Sequence, residues 1–242
     1  MAEAAFWGLI GASALVVAAE VAFAFRLSSK TIGLIMAFGV GALISSVSFE
    51  LVVPSLQLAS TAQVSLGLLV GAFTFFIGDM LIDRLGASGR KNPDGPEEGS
   101  SGLGIVLGTV LDGIPESAAL GMSLAAGDGV SFALLSAIWV SNFPEALGGS
   151  VGLEKSGMPR RNIRLMWWGI ALVSAISAGI GYVVVSGSSG KTGAFVQAFA
   201  AGALLTMIAD EMAPEAYSRA AKAAGIATTL GFILVVLLTS LE

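Results

Sequence analysis

Asp112-Gly113-Ile114-Pro115-Glu116 and Ser141-Asn142-Phe143-Pro144-Glu145 sit near the middles of two consecutive apolar runs. Each puts a proline and a glutamate where a helix crossing hydrocarbon should carry neither. A carboxylate at bilayer depth is costly, so it marks a functional site by default. Proline has no N–H to donate and clashes with the carbonyl four residues back, here Leu111 and Val140. A pair of interrupted spans at matching places points to the binding site of a transporter.

The whole chain agrees with a membrane reading. Its 242 residues are 55% hydrophobic and 12% charged, against about 25% charged in soluble domains. Mean hydropathy is +0.86. There is no cysteine and no histidine. Disulfides and thiolate sites are therefore ruled out, and so is the commonest transition-metal ligand. Any metal must be held by carboxylate, amide, hydroxyl, carbonyl or thioether. The 32 glycines suit helices that pack closely in lipid. Nothing resembles a nucleic-acid footprint.

A span needs about 20 apolar residues. On that measure the chain is expected to be an all-α integral membrane protein, one transmembrane domain of eight helices. The spans run near 5–25, 31–54, 64–82, 103–125, 130–153, 163–185, 192–212 and 224–241. The first has no basic stretch before it and reads as a retained span. Residues 86–102, rich in Gly, Ser, Pro and charge, read as a flexible loop. With the N-terminus outside, 11 of the 12 Lys and Arg residues fall at inner loops and only Lys191 falls outside. The excess of basic residues on the cytoplasmic side then puts both termini outside and the 86–102 loop in the cytoplasm. Arg160-Arg161-x-x-Arg164 reads as an inner anchor near anionic lipid. Short loops lean toward a bacterial inner membrane, and a homodimer is compatible with the pattern.

An internal repeat is visible. Ala37-Phe38-x-x-Gly41-Ala42-Leu43 precedes Glu50 and Pro54, and Ala198-Phe199-x-x-Gly202-Ala203-Leu204 precedes Glu211 and Pro214. The glycine-to-glutamate spacing is the same, and the proline is displaced by one. Spans 2 and 7 run in opposite directions, as do spans 4 and 5. A 3+2+3 bundle, with spans 1–3 related to spans 6–8 around a central pair, is the expected plan of an inverted-repeat transporter. The bland alternative is a chance match of common small residues.

Asp112 and Glu116 are four apart and share a helix face, as do Ser141 and Glu145. If the two spans cross at their prolines, three carboxylates, the Asn142 amide and the Ser141 hydroxyl converge. Like charges in a low-dielectric interior cannot all stay ionised unaided. Neither span carries Lys or Arg between Leu103 and Leu153. A divalent cation exchanging with protons is the economical partner. The alternative is that each Pro-Glu pair only kinks its helix.

At these residues the chain resembles the ZIP (Zrt/Irt-like) family of metal transporters. That family has eight spans, both termini outside and motifs close to H-N-x-P-E-G in spans 4 and 5. Laid on those motifs, Asp112 takes the histidine position of span 4, Gly113 the asparagine, Pro115 the proline and Glu116 the glutamate. Ser141 takes the histidine position of span 5, with Asn142, Pro144 and Glu145 in register. Asp210-Glu211-Met212-Ala213-Pro214-Glu215 looks like the family's acidic ending of span 7. Both motif histidines are absent, the last motif positions are Ser117 and Ala146, and Ser174-Ala175 stands where many members have Glu-Pro. The resemblance implies inward divalent-metal transport, of zinc or a relative such as Mn, Fe or Cd. The implied site is Asp112, Glu116, Asn142 and Glu145, with Ser141 beside them. Such an all-oxygen set suits Mn, Mg or Ca better than zinc, although carboxylates bind zinc too.

Glu50 and Glu211 read as collectors at the two ends of a cation path, or as interfacial acids. Asp210 and Glu215 read as inner-surface acids or as further groups at the metal's entry or exit, Glu20 as an interfacial acid near Arg26, and Asp79 as a partner for Arg84 or a support to the site. Met36 reads as packing that could offer a thioether, and Trp7, Trp139, Trp167 and Trp168 as packing or interface anchors. A transport-inactive or proton-coupled relative of the same fold is the alternative function. More remote is an intramembrane aspartyl protease using Asp79 and Asp112, which lacks the Gly-x-Gly-Asp pattern because Phe76 precedes Ile77-Gly78-Asp79.

Overall fold

A computed structural model describes residues 1–84, 102–127 and 129–241. The described residues form eight helical rods. These are α1 (Ala2–Ala24), α2 (Ser29–Leu58), α3 (Thr61–Ile82), α4 (Gly102–Ala126), α5 (Phe132–Lys155), α6 (Arg160–Ser186), α7 (Gly190–Ala220) and α8 (Ala223–Thr239). The loop expected at 86–102 falls outside the described residues, save Gly102. Starts are set locally. The Ser28 and Ser131 hydroxyls accept the N–H groups of Thr31 and Leu134, each at 3.1 Å, and Ser60 forms a capping box with Gln63.

Five rods, α1, α2, α3, α6 and α7, are long and apolar enough to cross a membrane. α8 is apolar throughout its 17 residues. α3 is buried over only 17% of its most apolar window. Leu66, Leu69, Phe73, Phe76 and Ile77 lie on its open surface, and Ile226, Leu230, Ile233 and Leu237 on that of α8. A helix apolar all round whose large side chains face outward is solvated by hydrocarbon, not water. This is an all-helical membrane protein.

α2 and α7 each contain a π-helical turn, Val47–Val52 and Ile208–Met212. The cause is the following proline. Pro54 and Pro214 cannot donate an N–H, and each would clash with the carbonyl four residues back in a regular helix. The backbone widens instead, and the N–H groups of Val53 and Ala213 reach five residues back, to the Ser48 and Ile208 carbonyls. Glu50 and Glu211 both lie in these turns. Neither rod ends at its acid, and α7 continues eight residues past Met212 to Ala220.

Three pairs of rods touch backbone to backbone. A Cβ built on Gly41 of α2 would fall 1.8 Å from the Thr228 carbonyl oxygen of α8, and one on Gly231 of α8 would fall 1.9 Å from that of Phe38. The same reciprocity joins α3 to α7, with Gly71 1.9 Å from Phe199 O and Gly202 2.0 Å from Leu68 O. It also joins α4 to α6, with Gly121 1.9 Å from Ala178 O and Gly181 2.3 Å from Ala118 O. Only glycine permits this approach, the small-residue packing that holds helices together where lipid removes the hydrophobic drive.

Two apolar cores result. One gathers Leu43, Val47, Leu120, Ile138, Leu204 and Met207 from α2, α4, α5 and α7. The other gathers Leu15, Leu147, Ile163 and Trp167 from α1, α5 and α6. Trp167 is wholly buried and donates Nε1–H to Ser150 Oγ at 2.8 Å, so it packs and does not anchor.

Gly71→Ala and Gly202→Ala are each expected to destabilise the fold by about 1–3 kcal/mol, the usual cost of forcing volume into a packed contact. Gly169→Ala, with nothing within 4 Å of its Cβ, should be neutral or stabilising. Thermal unfolding in detergent, followed by circular dichroism, distinguishes the sites.

Candidate functional site

The helix-interior prolines Pro115 and Pro144 lie within α4 and α5, and both rods run through them unbroken. Around them Asp112, Glu116, Ser141 and Asn142 are buried, with relative exposures of 2–4%, and Glu145 is half-buried. Ser141 ties the two rods together. Its Oγ–H has two acceptors in reach, Glu116 Oε1 at 3.0 Å and the Ile138 carbonyl of its own helix at 2.9 Å.

A small cavity of about 10 Å³ opens beside this contact, lined by Met36, Asp112, Ser141, Glu145, Met207, Met212 and Glu215. That is room for roughly one water-sized body. Four rods contribute: α2, α4, α5 and α7. The π turn explains how α7 supplies three of the seven residues. In a regular helix Met207 and Met212, five apart, would point about 140° away from each other. The wider turn between them brings both to the cavity, and Glu215 follows one turn later.

Of the residues singled out in the sequence, Asp112, Ser141 and Glu145 meet at this cavity. Glu116 is one hydrogen bond away, through Ser141. Asn142 is buried but does not line it. Among the described residues no three acidic side chains gather closely enough to form a metal-ligand group of carboxylates alone. Glu50 accepts a hydrogen bond from Thr239 Oγ1 at 3.2 Å near the end of α8. Asp210 is exposed and Glu211 half-buried.

Glu215, expected at the inner surface or on the metal's way in or out, keeps only 9% of its side-chain surface exposed. It accepts from Arg219 Nε at 3.0 Å and from Nη2 at 2.6 Å. Arg219 is likewise 9% exposed, so it belongs to the bundle and not to an inner loop. Glu20 is exposed as expected, but its partner is Arg164 of α6, whose Nη2 donates to it at 2.9 Å across the helix pair. Arg160 and Arg164 also lie over the Phe23 ring, 5.0 and 5.2 Å from its centre.

Met207 and Met212 are the residues the sequence concealed, whereas Met36 already reads there as packing that could offer a thioether. A Met in an apolar run is ordinarily packing, and Met207 and Met212 have no helical spacing that marks them as neighbours. The cavity lining is therefore mixed: three acids, one serine and three methionines.

No protein-family profile matches the chain. Over 201 residues, 82% of its length, it is 25% identical to an Arabidopsis thaliana protein named "Putative zinc transporter". The chain spans about a third of the length of that curated relative, since the match covers 32% of it. The similarity supports the metal-transporter resemblance in general terms, and the relative bears a transporter's name and not an enzyme's.

The two ion pairs should respond differently to mutation. Glu20→Gln, at an exposed pair, is expected to leave the unfolding midpoint nearly unchanged. Glu215→Ala strands the largely enclosed Arg219 charge and is expected to cost clearly more, up to about 3 kcal/mol. Parallel thermal or denaturant unfolding of the two variants checks the contrast.

Proposed function

We propose that the chain carries a divalent metal cation across a membrane, inward, through the cavity between α4, α5, α2 and α7. The observation that carries this reading is the meeting of Asp112, Ser141, Glu145 and Glu215 with three methionines in one small cavity, at the level of both helix-interior prolines. A cation leaving water loses its hydration shell, and these groups replace it. Asp112 and Glu145 supply charge, while the Ser141 hydroxyl holds Glu116 in place beside them, as outer-shell partners do at metal sites.

The donor set bears on which cation. Oxygen ligands alone suit Mg, Ca or Mn, whereas thioethers favour softer ions. Met36, Met207 and Met212 therefore shift the proposed substrate toward zinc or cadmium, and away from the hard cations that the carboxylates, taken by themselves, would select. In this reading all eight rods span the bilayer, both termini lie outside, and the architecture is a 3+2+3 inverted repeat. Support comes from the pairing of the rods. α2 meets α8 and α7 meets α3 through reciprocal glycines, and α2 and α7 carry matching π turns. Spans 1–3 exchanged with spans 6–8 would generate that pattern.

One observation favours the alternative of a transport-inactive protein: the described acids do not form a ligand group by themselves. Proteoliposome uptake decides between the two. Glu145→Gln and Asp112→Asn are expected to abolish zinc and cadmium uptake in protein that still unfolds cooperatively. Ser141→Ala is expected to weaken apparent affinity by about 10–100-fold, as loss of an outer-shell partner does. The triple change of Met36, Met207 and Met212 to leucine should lower cadmium uptake relative to manganese. No uptake of any metal by folded protein would leave the transport-inactive reading standing.

A further inference from the structure

Arg219 is a largely enclosed arginine, its side chain 9% exposed, for which the cation path described above has no use. Its guanidinium donates twice to Glu215 Oε1, at 3.0 and 2.6 Å, and Glu215 lines the cavity. From α7 the arginine is pressed against α2, where a Cβ on Gly33 would fall 2.4 Å from its own Cβ. Its Nη2 reaches α5, 3.7 Å from where a Cβ on Gly148 would stand. Gly148 is three residues beyond Glu145, so the guanidinium lies one helical turn past the cavity, toward the Lys155 end of α5. That is the end the basic loops assign to the cytoplasm.

Arginine does not lose its proton in proteins. Its buried charge persists only because Glu215 matches it. One of the carboxylates lining the cavity is thus already held by a cation, one that belongs to the chain. A mobile divalent cation at Glu215 would displace the guanidinium, because two cations sharing one carboxylate repel each other.

We infer that Arg219 is a tethered cation that seals the inner end of the cavity by holding Glu215, and that a transported divalent cation leaves inward by taking its place. The seal is argued from these contacts and from the orientation that the basic loops lead one to expect. The exchange rests on the transport reading. As a positioning residue, Arg219 would set when Glu215 is available and never itself meet the cargo.

The absence of cysteine makes the test direct. Met212→Cys places a single thiol on the cavity wall. Its labelling by a membrane-impermeant charged thiosulfonate is measured in inside-out vesicles. With Arg219 in place, labelling should be slow. Adding Arg219→Gln should raise the rate about tenfold or more, the change expected when an open state goes from minor to dominant. The double change Glu215→Gln with Arg219→Gln removes both charges, strands neither, and should label equally fast even if the single variant folds poorly. Slow labelling in both variants would overturn the seal. The exchange is tested in cysteine-free protein, so that no thiolate competes for the metal. Arg219→Gln should tighten zinc binding about tenfold, read by equilibrium dialysis, because no tethered cation then shares Glu215. Unchanged affinity, while the same substitution opens the site to labelling, overturns the exchange and leaves the seal standing.

Discussion

Three pairs of helices touch where one rod's carbonyl oxygen occupies the place of the other's missing side chain. Everything in the interior depends on that approach. α2 is held to α8, α3 to α7 and α4 to α6, each through two glycines that face each other's backbone. Lipid offers apolar side chains as good a home as a neighbouring helix does, so association must come from packing and polar contact. The glycine contacts supply the packing and fix the distance between rods. α5 joins them at Gly39 of α2, where a Cβ would fall 3.1 Å from Ser141 Cα; there Ser141 reaches Glu116 of α4, and side chains from four rods share a cavity with room for little more than one water.

The polar interior follows from the same closeness. An acid in a loosely packed bundle would draw in water or take up a proton. Here the acids sit among methionines and one hydroxyl, and one of them is matched by a guanidinium. The arrangement is neither a ring of carboxylates nor a dry apolar core. Its softness comes from thioethers standing where imidazoles are absent, and its charge is moderated by an arginine from within the bundle.

Much of this is written plainly in the sequence. The apolar runs give the rods, the two Pro-Glu pairs give the central helices, and the matched Gly-to-Glu spacings pick out the two rods that prove to carry π turns. Side-chain partnership across helices is where one-dimensional reading stops. Glu215-x-x-x-Arg219 has the spacing of any surface ion pair on a helix, and only the packing of α7 against α2 and α5 makes it a buried one. Met207 and Met212 are invisible as a pair because their spacing fits no regular helix. Glu20 chose Arg164, 144 residues away, over the basic residue six positions along its own chain.

A π turn is an α-helix with one residue too many. Each extra residue rotates everything downstream by about 100° about the helix axis. In α7 what lies downstream is Glu215 and Arg219. Their place against the cavity is therefore a matter of phase, set upstream between Ile208 and Met212. Taking one residue out of that turn would leave both side chains chemically intact and aim them along a different azimuth, toward another neighbour or the lipid. The same holds in α2 for the residues beyond Val52. The chain thus keeps two one-residue insertions whose whole effect is angular. Relatives with that residue deleted would be expected to carry their acids and bases one position displaced, so that the geometry is conserved while the alignment is not.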